Sequence, residues 1–81
     1  MKYIMKMRIP MERGNEVLRD PQFGYKMNDL LTEVKAEAAY FTTINGQRGA
    51  YVIVNMNDAS EIPAIAEPFF LWLNADIDWV P

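Results

Sequence analysis

The first and last apolar stretches of the chain carry opposite charges at alternate residues. Lys6 and Arg8 lie in the first stretch, and Asp76 and Asp78 lie in the last. In an antiparallel pairing of the two stretches, Lys6 faces Asp78 and Arg8 faces the other aspartate. The same register forms four uncharged pairs: Ile4 with Val80 on the charged face, and Met5 with Trp79, Met7 with Ile77 and Ile9 with Ala75 on the opposite face. Because one register satisfies both faces, we predict that the two ends of the chain are neighbouring strands of one sheet.

The length of the chain limits the size of its core. The chain has 81 residues, and folding at this size buries only roughly 60 to 65% of the unfolded surface. The apolar fraction is nonetheless 51%, with six Met, four Phe, four Tyr and two Trp. We therefore expect a single domain over residues 1–81, and a homodimer or higher homo-oligomer that covers part of the apolar surface.

The composition restricts the chemistry that the chain can perform. It contains no Cys and no His, so it lacks a thiolate nucleophile, a disulfide framework and the commonest metal ligands. We expect no metal site and no cofactor. Any chemistry has to use carboxylates, Lys, Arg, Tyr or hydroxyl groups.

Charge and hydropathy also restrict the partners and the location. The net charge of −3 opposes strong attraction to nucleic acids and to anionic membranes, so neither is expected as a partner. The sequence has neither an apolar stretch near the ~20 residues that a membrane span needs nor the features of a signal peptide. We expect a cytoplasmic protein.

The first half of the chain predicts a strand, a loop and a helix. Residues 2–9 alternate between polar and apolar at most positions and stop at a proline, as a strand does. Residues 11–19 are predicted as a loop that ends in a short turn. Asp20 is predicted as a helix N-cap, because Pro21 suits the first helical position and apolar residues recur at helical spacing as far as Ala38.

The second half predicts a hairpin, a helix and a last strand. Residues 40–44 and 51–54 are β-branched or aromatic, and residues 45–49 between them are rich in turn formers. Residues 75–80 form the predicted last strand. The order of elements is then β-α-β-β-α-β, which predicts an α+β fold with a four-stranded antiparallel sheet and both helices on one face. We call the other face of the sheet the open face, and we expect function to lie there.

The second helix is predicted from its cap and its apolar run. Ser60 can act as the N-cap, and Asp58 is an alternative. Pro68 removes a backbone hydrogen bond, so a kink is expected there. Residues 69–73 are apolar on all sides, and we expect this last turn to be buried.

Several segments resemble known families. By its order of elements, and by residues 3–7, Phe69-Phe70 and residues 76–78, the chain resembles the dimeric α+β barrel superfamily, which includes muconolactone isomerases. In that superfamily, two ferredoxin-like subunits press their open faces together, and the barrel interior sometimes holds a small, often aromatic, substrate. The resemblance implies this fold and assembly. It carries over no set of catalytic residues.

A narrower resemblance covers three further segments. Residues 37–42, 46–49 and 58–71 are similar to an uncharacterised family of small bacterial proteins. Members of that family continue past the position of Pro81, so the resemblance implies a C-terminal tail that completes the subunit contact or a pocket.

Five residues are candidates for ligand binding. Arg8 can hold a carboxylate, or it can belong to a structural charge ladder across the strands. Tyr40, Tyr51 and Arg48 belong to the hairpin and can bind an aromatic acid, or they can serve packing. Glu67 can be a partly buried proton shuttle, a helix-end acid or the partner of an arginine.

Three functions are compatible with these residues. The first is a small-molecule-binding dimeric barrel without catalysis, whose ligand is a small aromatic or carboxylate-bearing molecule. The second is a cofactor-independent isomerase or monooxygenase that acts on an aromatic or lactone substrate. The third is a structural or regulatory assembly module. The first two predict a cavity of roughly 300 Å³ or more that reaches Arg8, Tyr40 or Arg48.

Overall fold

The two ends of the chain lie side by side, as the alternating charges predict. The computed structural model describes all 81 residues. Strand β1 (Lys2–Ile9) pairs antiparallel with strand β4 (Asp76–Val80), and Lys6 lies opposite Asp78. All five pairs of this ladder are those that the sequence predicts. The terminal register is therefore confirmed, although β4 begins one residue later than expected.

The central hairpin completes a four-stranded antiparallel sheet. Strand β2 (Ala38–Ile44) and strand β3 (Gln47–Asn55) are joined by the two residues Asn45 and Gly46. Both of these residues have positive φ, 51° and 79°, and Asn-Gly is the sequence that such a turn favours. The connection is shorter than the predicted turn over residues 45–49. The strand order is β2-β3-β1-β4, so β2 and β4 form the two edges.

A helix that the sequence did not predict follows β1. Helix α1 (Met11–Leu18) occupies the region expected to be a loop and a turn, and the N–H of Gly14 donates to the carbonyl of Pro10 at 2.8 Å. A central glycine weakens a helix by about 1 kcal/mol relative to alanine, which hides the helical signal. Tertiary packing outweighs this cost because Val17 is buried against the core.

The next helix is shorter than predicted at both ends. Helix α2 extends over Phe23–Glu33, whereas the sequence predicted a helix from Asp20 to Ala38. Asp20 caps a turn instead, because its Oδ1 accepts a hydrogen bond from the N–H of Gln22 at 2.8 Å. The helix ends before Lys35, which has a φ of 57°. The chain then enters β2.

The alternative cap residue, Asp58, caps the 3₁₀ turn that leads into the last helix. Helix α3 (Ile62–Leu73) follows a single 3₁₀ turn, and Asp58 accepts a hydrogen bond from the N–H of Ser60 at 2.6 Å. The carboxylate of Glu61 accepts from the N–H of Asp58 in return, which completes a capping box. The helix continues through Pro68 as one element.

The apolar last turn of α3 is buried on one side only. Phe69 and Leu73 are fully buried, as predicted, but Leu71 is 79% exposed and Phe70 is 38% exposed. The prediction of complete burial is wrong because the fold has two layers, so α3 contacts the sheet with one side and presents its other side to solvent.

The helices cover one face of the sheet, which gives the ferredoxin-like arrangement. The core contains side chains from β1, β3 and the helices: Met5, Met7, Ala50, Val52, Val54, Val17, Met27, Ile65, Phe69 and Leu73. The helices also contact one another. Arg13 Nε donates to the carbonyl of Trp72 at 2.8 Å, and the rings of Trp72 and Phe23 lie 5.4 Å apart between centroids. No helix of the structure is both long and apolar enough to cross a membrane.

We expect the two adjacent phenylalanines of α3 to differ in their contribution to stability. Phe69→Ala removes a fully buried ring and should lower the free energy of unfolding by about 3–5 kcal/mol. Phe70→Ala, the matched control, removes a partly exposed ring and should cost clearly less. Urea unfolding of both variants measures the difference, and equal losses would contradict the packing described for this helix.

The Asp58 cap should stabilise the folded chain in a pH-dependent way. Hydrogen bonds donated by the hydroxyl and the backbone N–H of Ser60 hold the pKa of Asp58 below its usual range. A carboxyl with a lowered pKa stabilises the folded state above the unfolded pKa of about 3.9, and this stabilisation is lost as the pH falls through the lower folded pKa. Asp58→Ala should therefore be less stable than the parent chain at pH 7.

The control for the cap prediction is Asp58→Asn, which keeps a capping oxygen but does not titrate. Below about pH 4, the stability of the parent chain should fall more steeply than that of Asp58→Asn. Urea unfolding at a series of pH values measures both curves. Parallel curves would show that the ionisation of Asp58 does not contribute to stability.

Candidate functional site

The open face of the sheet presents three rows of side chains that cross all four strands. Strand pairing aligns them as Ala38–Ile53–Ile4–Val80, Tyr40–Tyr51–Lys6–Asp78 and Thr42–Gly49–Arg8–Asp76. Three of the predicted site residues, Arg8, Tyr40 and Tyr51, therefore share this face. The two tyrosines are direct cross-strand partners. The face thus has an apolar row, an aromatic pair and a charged half.

The charged half of the open face contains one ion pair. Arg8 Nη2 lies 3.8 Å from Asp78 Oδ2, so it pairs diagonally and not with Asp76 directly opposite. The side chain of Asp78 is 65% exposed. An exposed ion pair of this kind contributes about 0–1 kcal/mol. This geometry matches the structural alternative for Arg8, whose charge is already partly compensated.

At one corner of the open face, the side chain of Ile44 packs closely against the sheet. Ile44 is buried because it lies over Gly49, which has no side chain. A Cβ atom on Gly49 would lie 2.6 Å from Ile44 Cδ1 and 2.8 Å from the carbonyl oxygen of Met7. Glycine is required at this position, because the backbone of β1 cannot move aside.

The cavity of the structure lies on the helix side of the sheet and not on the open face. It has a volume of about 250 Å³ and lies among α1, the start of α2, and strands β2 and β3. Its apolar wall consists of five side chains: Ile9, Val17, Leu18, Phe23 and Phe41. Arg48 lines the same cavity. The sequence predicted a cavity that reaches Arg48, but on the opposite face of the sheet.

Arg48 is a half-buried cation without an acidic partner. The ion pairs of the structure join Lys2 with Glu37, Arg8 with Asp78, Arg13 with Glu16, and Lys26 with Asp20. Arg48 Nη1 lies 3.6 Å from the sulfur of Met11, which is a weak acceptor. The side chain extends over Gly14, where a Cβ atom would lie 2.8 Å from Nη1. The guanidinium therefore retains donors that no carboxylate satisfies.

Phe41 forms the outer wall of the cavity because it lies on an edge strand. It is opposite Ala50, a core residue, so its ring points to the helix side of the sheet. It is nevertheless 56% exposed. Phe41 is not among the site residues predicted from the sequence, although its position between Ala39 and Thr43 on the helix-side alternation of β2 was a usable signal.

Glu67 does not join either group of residues. It is exposed on α3 and forms an ion pair with neither Arg19 nor Arg48. Of the alternatives for Glu67, partial burial is wrong, because this side chain lies on the solvent side of α3. Of the five candidate residues, three share the open face, Arg48 lines the cavity, and Glu67 lies apart from both.

One acidic residue beside the open face has a shifted pKa. A hydrogen bond from the amide of Asn55, together with the ammonium of Lys2 at 3.2 Å, holds the pKa of Glu37 below its usual range. Lys2 and Asn55 are cross-strand partners. This exposed cluster joins the start of β2 to the first strand, and we assign it a structural role.

Comparison with known proteins places no family name on the chain. No family model matches it, and no curated protein matches it. Among solved structures, the chain is similar to one described as "De novo designed protein Ferredog-Diesel", with a TM-score of 0.49 and 14% identity, over 99% of this chain and 83% of that chain. The fold described above rests on the strand order and the position of the helices. The relationship to muconolactone isomerases stays a prediction.

Proposed function

We propose that this chain is a small-molecule-binding protein and that the cavity beside Arg48 is its binding site. One observation carries the proposal: an apolar cavity of about 250 Å³ is lined by a single ionisable side chain, the guanidinium of Arg48. Ligand sites are commonly apolar clefts with a few polar groups that fix orientation. This arrangement fits a ligand with an apolar body and one anionic group.

The lining indicates the class of ligand. Phe23 and Phe41 offer ring faces and edges to an aromatic body. A guanidinium binds a carboxylate through two parallel hydrogen bonds, which gives both affinity and orientation. The volume lies below the roughly 300–1,000 Å³ of sites for drug-sized ligands. The ligand is therefore a small aromatic carboxylate of about one ring.

The lining favours binding over proton-transfer catalysis. A guanidinium has five N–H donors and no acceptor, so Arg48 suits the recognition of an anion and not the removal of a proton. An isomerase or monooxygenase could use Tyr40 and Tyr51 for proton transfer. Both tyrosines lie on the open face, and neither lines the cavity. Recognition is the chemistry that this site supports.

The proposal includes self-association, which the sequence predicts from the large apolar fraction. Two surfaces are available for it. One is the open face, whose apolar row Ala38–Ile53–Ile4–Val80 is only partly buried. The other is the unpaired edge of β2. A face contact without ligand binding would correspond to the assembly-module alternative.

The first test of the proposed site uses sodium benzoate as the probe and benzamide as its neutral analogue. Benzoate should raise the melting temperature of the parent chain, because a ligand of the folded state stabilises it by mass action. Arg48→Ala should lower benzoate affinity by about 10- to 100-fold, the range for a lost charge-assisted hydrogen bond. Arg48→Lys should fall between the two. Titration calorimetry measures the affinities.

The benzoate affinities of the parent chain and of Arg48→Ala decide whether the proposed site is correct. A parent chain that prefers benzoate to benzamide, together with loss of that preference in Arg48→Ala, supports the site. Equal benzoate affinity in Arg48→Ala and the parent chain, or no binding of benzoate by the parent chain at millimolar concentration, would overturn it.

A second test moves Arg48 without removing its charge. A methyl group at position 14 would lie 2.8 Å from Arg48 Nη1, so Gly14→Ala should displace the guanidinium from the cavity. Alanine is also the better helix former by about 1 kcal/mol. We expect Gly14→Ala to weaken benzoate binding while the free energy of unfolding stays equal or rises.

The matched control for this test is Gly24→Ala in α2, where an added Cβ atom meets nothing within 4 Å. It should leave benzoate affinity unchanged. Calorimetry and urea unfolding are run on both variants. Equal benzoate affinity in Gly14→Ala and Gly24→Ala would argue against a role for the position of Arg48.

A further inference from the structure

The two edges of the sheet differ in how they oppose pairing with another strand. Edge β4 has five residues, and Asp76 and Asp78 carry charges at alternate positions. Edge β2 has seven residues, Ala38–Ile44, with no charge, no proline and no glycine. Natural sheets protect their edges with charges, prolines, bulges or short strands. Such protection is present at β4 and missing along β2.

We propose that β2 pairs antiparallel with β2 of a second copy of this chain, about a two-fold axis at Phe41. Ile44 and Gln47 are the hydrogen-bonded pair next to the two-residue turn. Hydrogen-bonded pairs alternate along the ladder, so Ala39, Phe41 and Thr43 direct their N–H and C=O groups away from β3. These groups are the ones available to a second strand.

The proposed register uses the whole strand. Phe41 is the midpoint of Ala38–Ile44, so an axis at this residue pairs all seven positions of β2 with those of the second copy. Phe41 also directs its backbone groups to the edge, so it forms a hydrogen-bonded pair with Phe41 of the second copy. A register shift of one residue would place the axis between two residues and set outward-directed groups against inward-directed ones. Hydrogen bonding therefore excludes such registers, and the length of the strand favours the axis at Phe41 among those that remain.

The side chains are compatible with this register. On the helix side, Phe41 of one copy lies beside Phe41 of the other, and Ala39 lies opposite Thr43. On the open face, Tyr40 lies opposite Thr42. Every pair is uncharged, so no like charges meet, and aromatic and β-branched pairs across strands are favourable. Tyr40 and Phe41 are 61% and 56% exposed in the single chain, and the pairing covers part of both rings.

The pairing also bears on the cavity. Phe41 is its outer wall, and the ring of the second copy would lie against the exposed side of that wall. The edge pairing does not depend on ligand binding, because backbone hydrogen bonds and uncharged side chains carry it. A failure of benzoate to bind would leave the pairing intact, and a monomeric chain could still bind benzoate.

The test exploits the absence of cysteine from the chain, which makes a single introduced thiol unambiguous. Across the proposed axis, the Cα atoms of the two copies of residue 41 lie about 5.5 Å apart, within the range of a disulfide. Phe41→Cys should form a disulfide-linked dimer under mild oxidation. Asp76→Cys, an exposed control on the other edge, should not.

A mixture of two cysteine variants tests the register while Phe41 stays unchanged. Tyr40 of one copy lies opposite Thr42 of the other, in a pair with Cα atoms about 4.5 Å apart. A mixture of Tyr40→Cys and Thr42→Cys chains should therefore form the mixed disulfide faster than either variant cross-links alone. No preference for the mixed disulfide would overturn the register.

Sedimentation equilibrium distinguishes a dimer formed through the β2 edge from a dimer formed through the open face. Phe41→Lys sets two ammonium groups against each other at the axis and should make the chain monomeric at concentrations where the parent chain is dimeric. Ile53→Lys places a charge in the apolar row of the open face and should leave the edge-paired dimer intact. A monomeric parent chain at every concentration, or a dimer that only Ile53→Lys abolishes, would overturn the proposal, the latter in favour of a contact through the open face.

Discussion

The pairing of β1 with its two neighbours is the constraint on which the rest of the structure depends. Side chains alternate along a strand, so a shift of one residue would exchange the two faces of the sheet. The observed register directs Met5 and Met7 to the core and Lys6 and Arg8 to the open face. The positions of the helices, the cavity and the charged rows all follow from that division.

The second determining feature is that the helices cover the centre of the sheet more fully than its β2 edge. Ala50 on β3 is fully buried, whereas its partner Phe41 on β2 is more than half exposed on the same face. The cavity lies where this cover ends, and Arg48 reaches it across Gly14. This gap in the cover gives the proposed ligand site, which borders the unprotected β2 edge.

The candidate site was only partly predictable. Tyr40 and Tyr51 were placed together correctly, because residues of a hairpin are paired by a local turn. Arg48 was selected, but its direction was not, since a residue beside a turn reaches either face according to the length of that turn. For Glu67, the apolar residues after it made partial burial one of the alternatives, and that alternative fails because a two-layer fold buries only one side of α3.

The sequence by itself determined the terminal register, the presence of a hairpin turn within residues 45–49 and the two possible caps ahead of α3. Charge alternation and turn chemistry act between residues that are adjacent in the chain or directly opposite in a ladder. Only the tertiary structure decided that residues 11–18 form a helix and that Arg48 meets Phe41 in a cavity. Those outcomes depend on packing between segments far apart in the chain. Burial of Val17 outweighs the local preference of Gly14, and no short-range pattern encodes that balance.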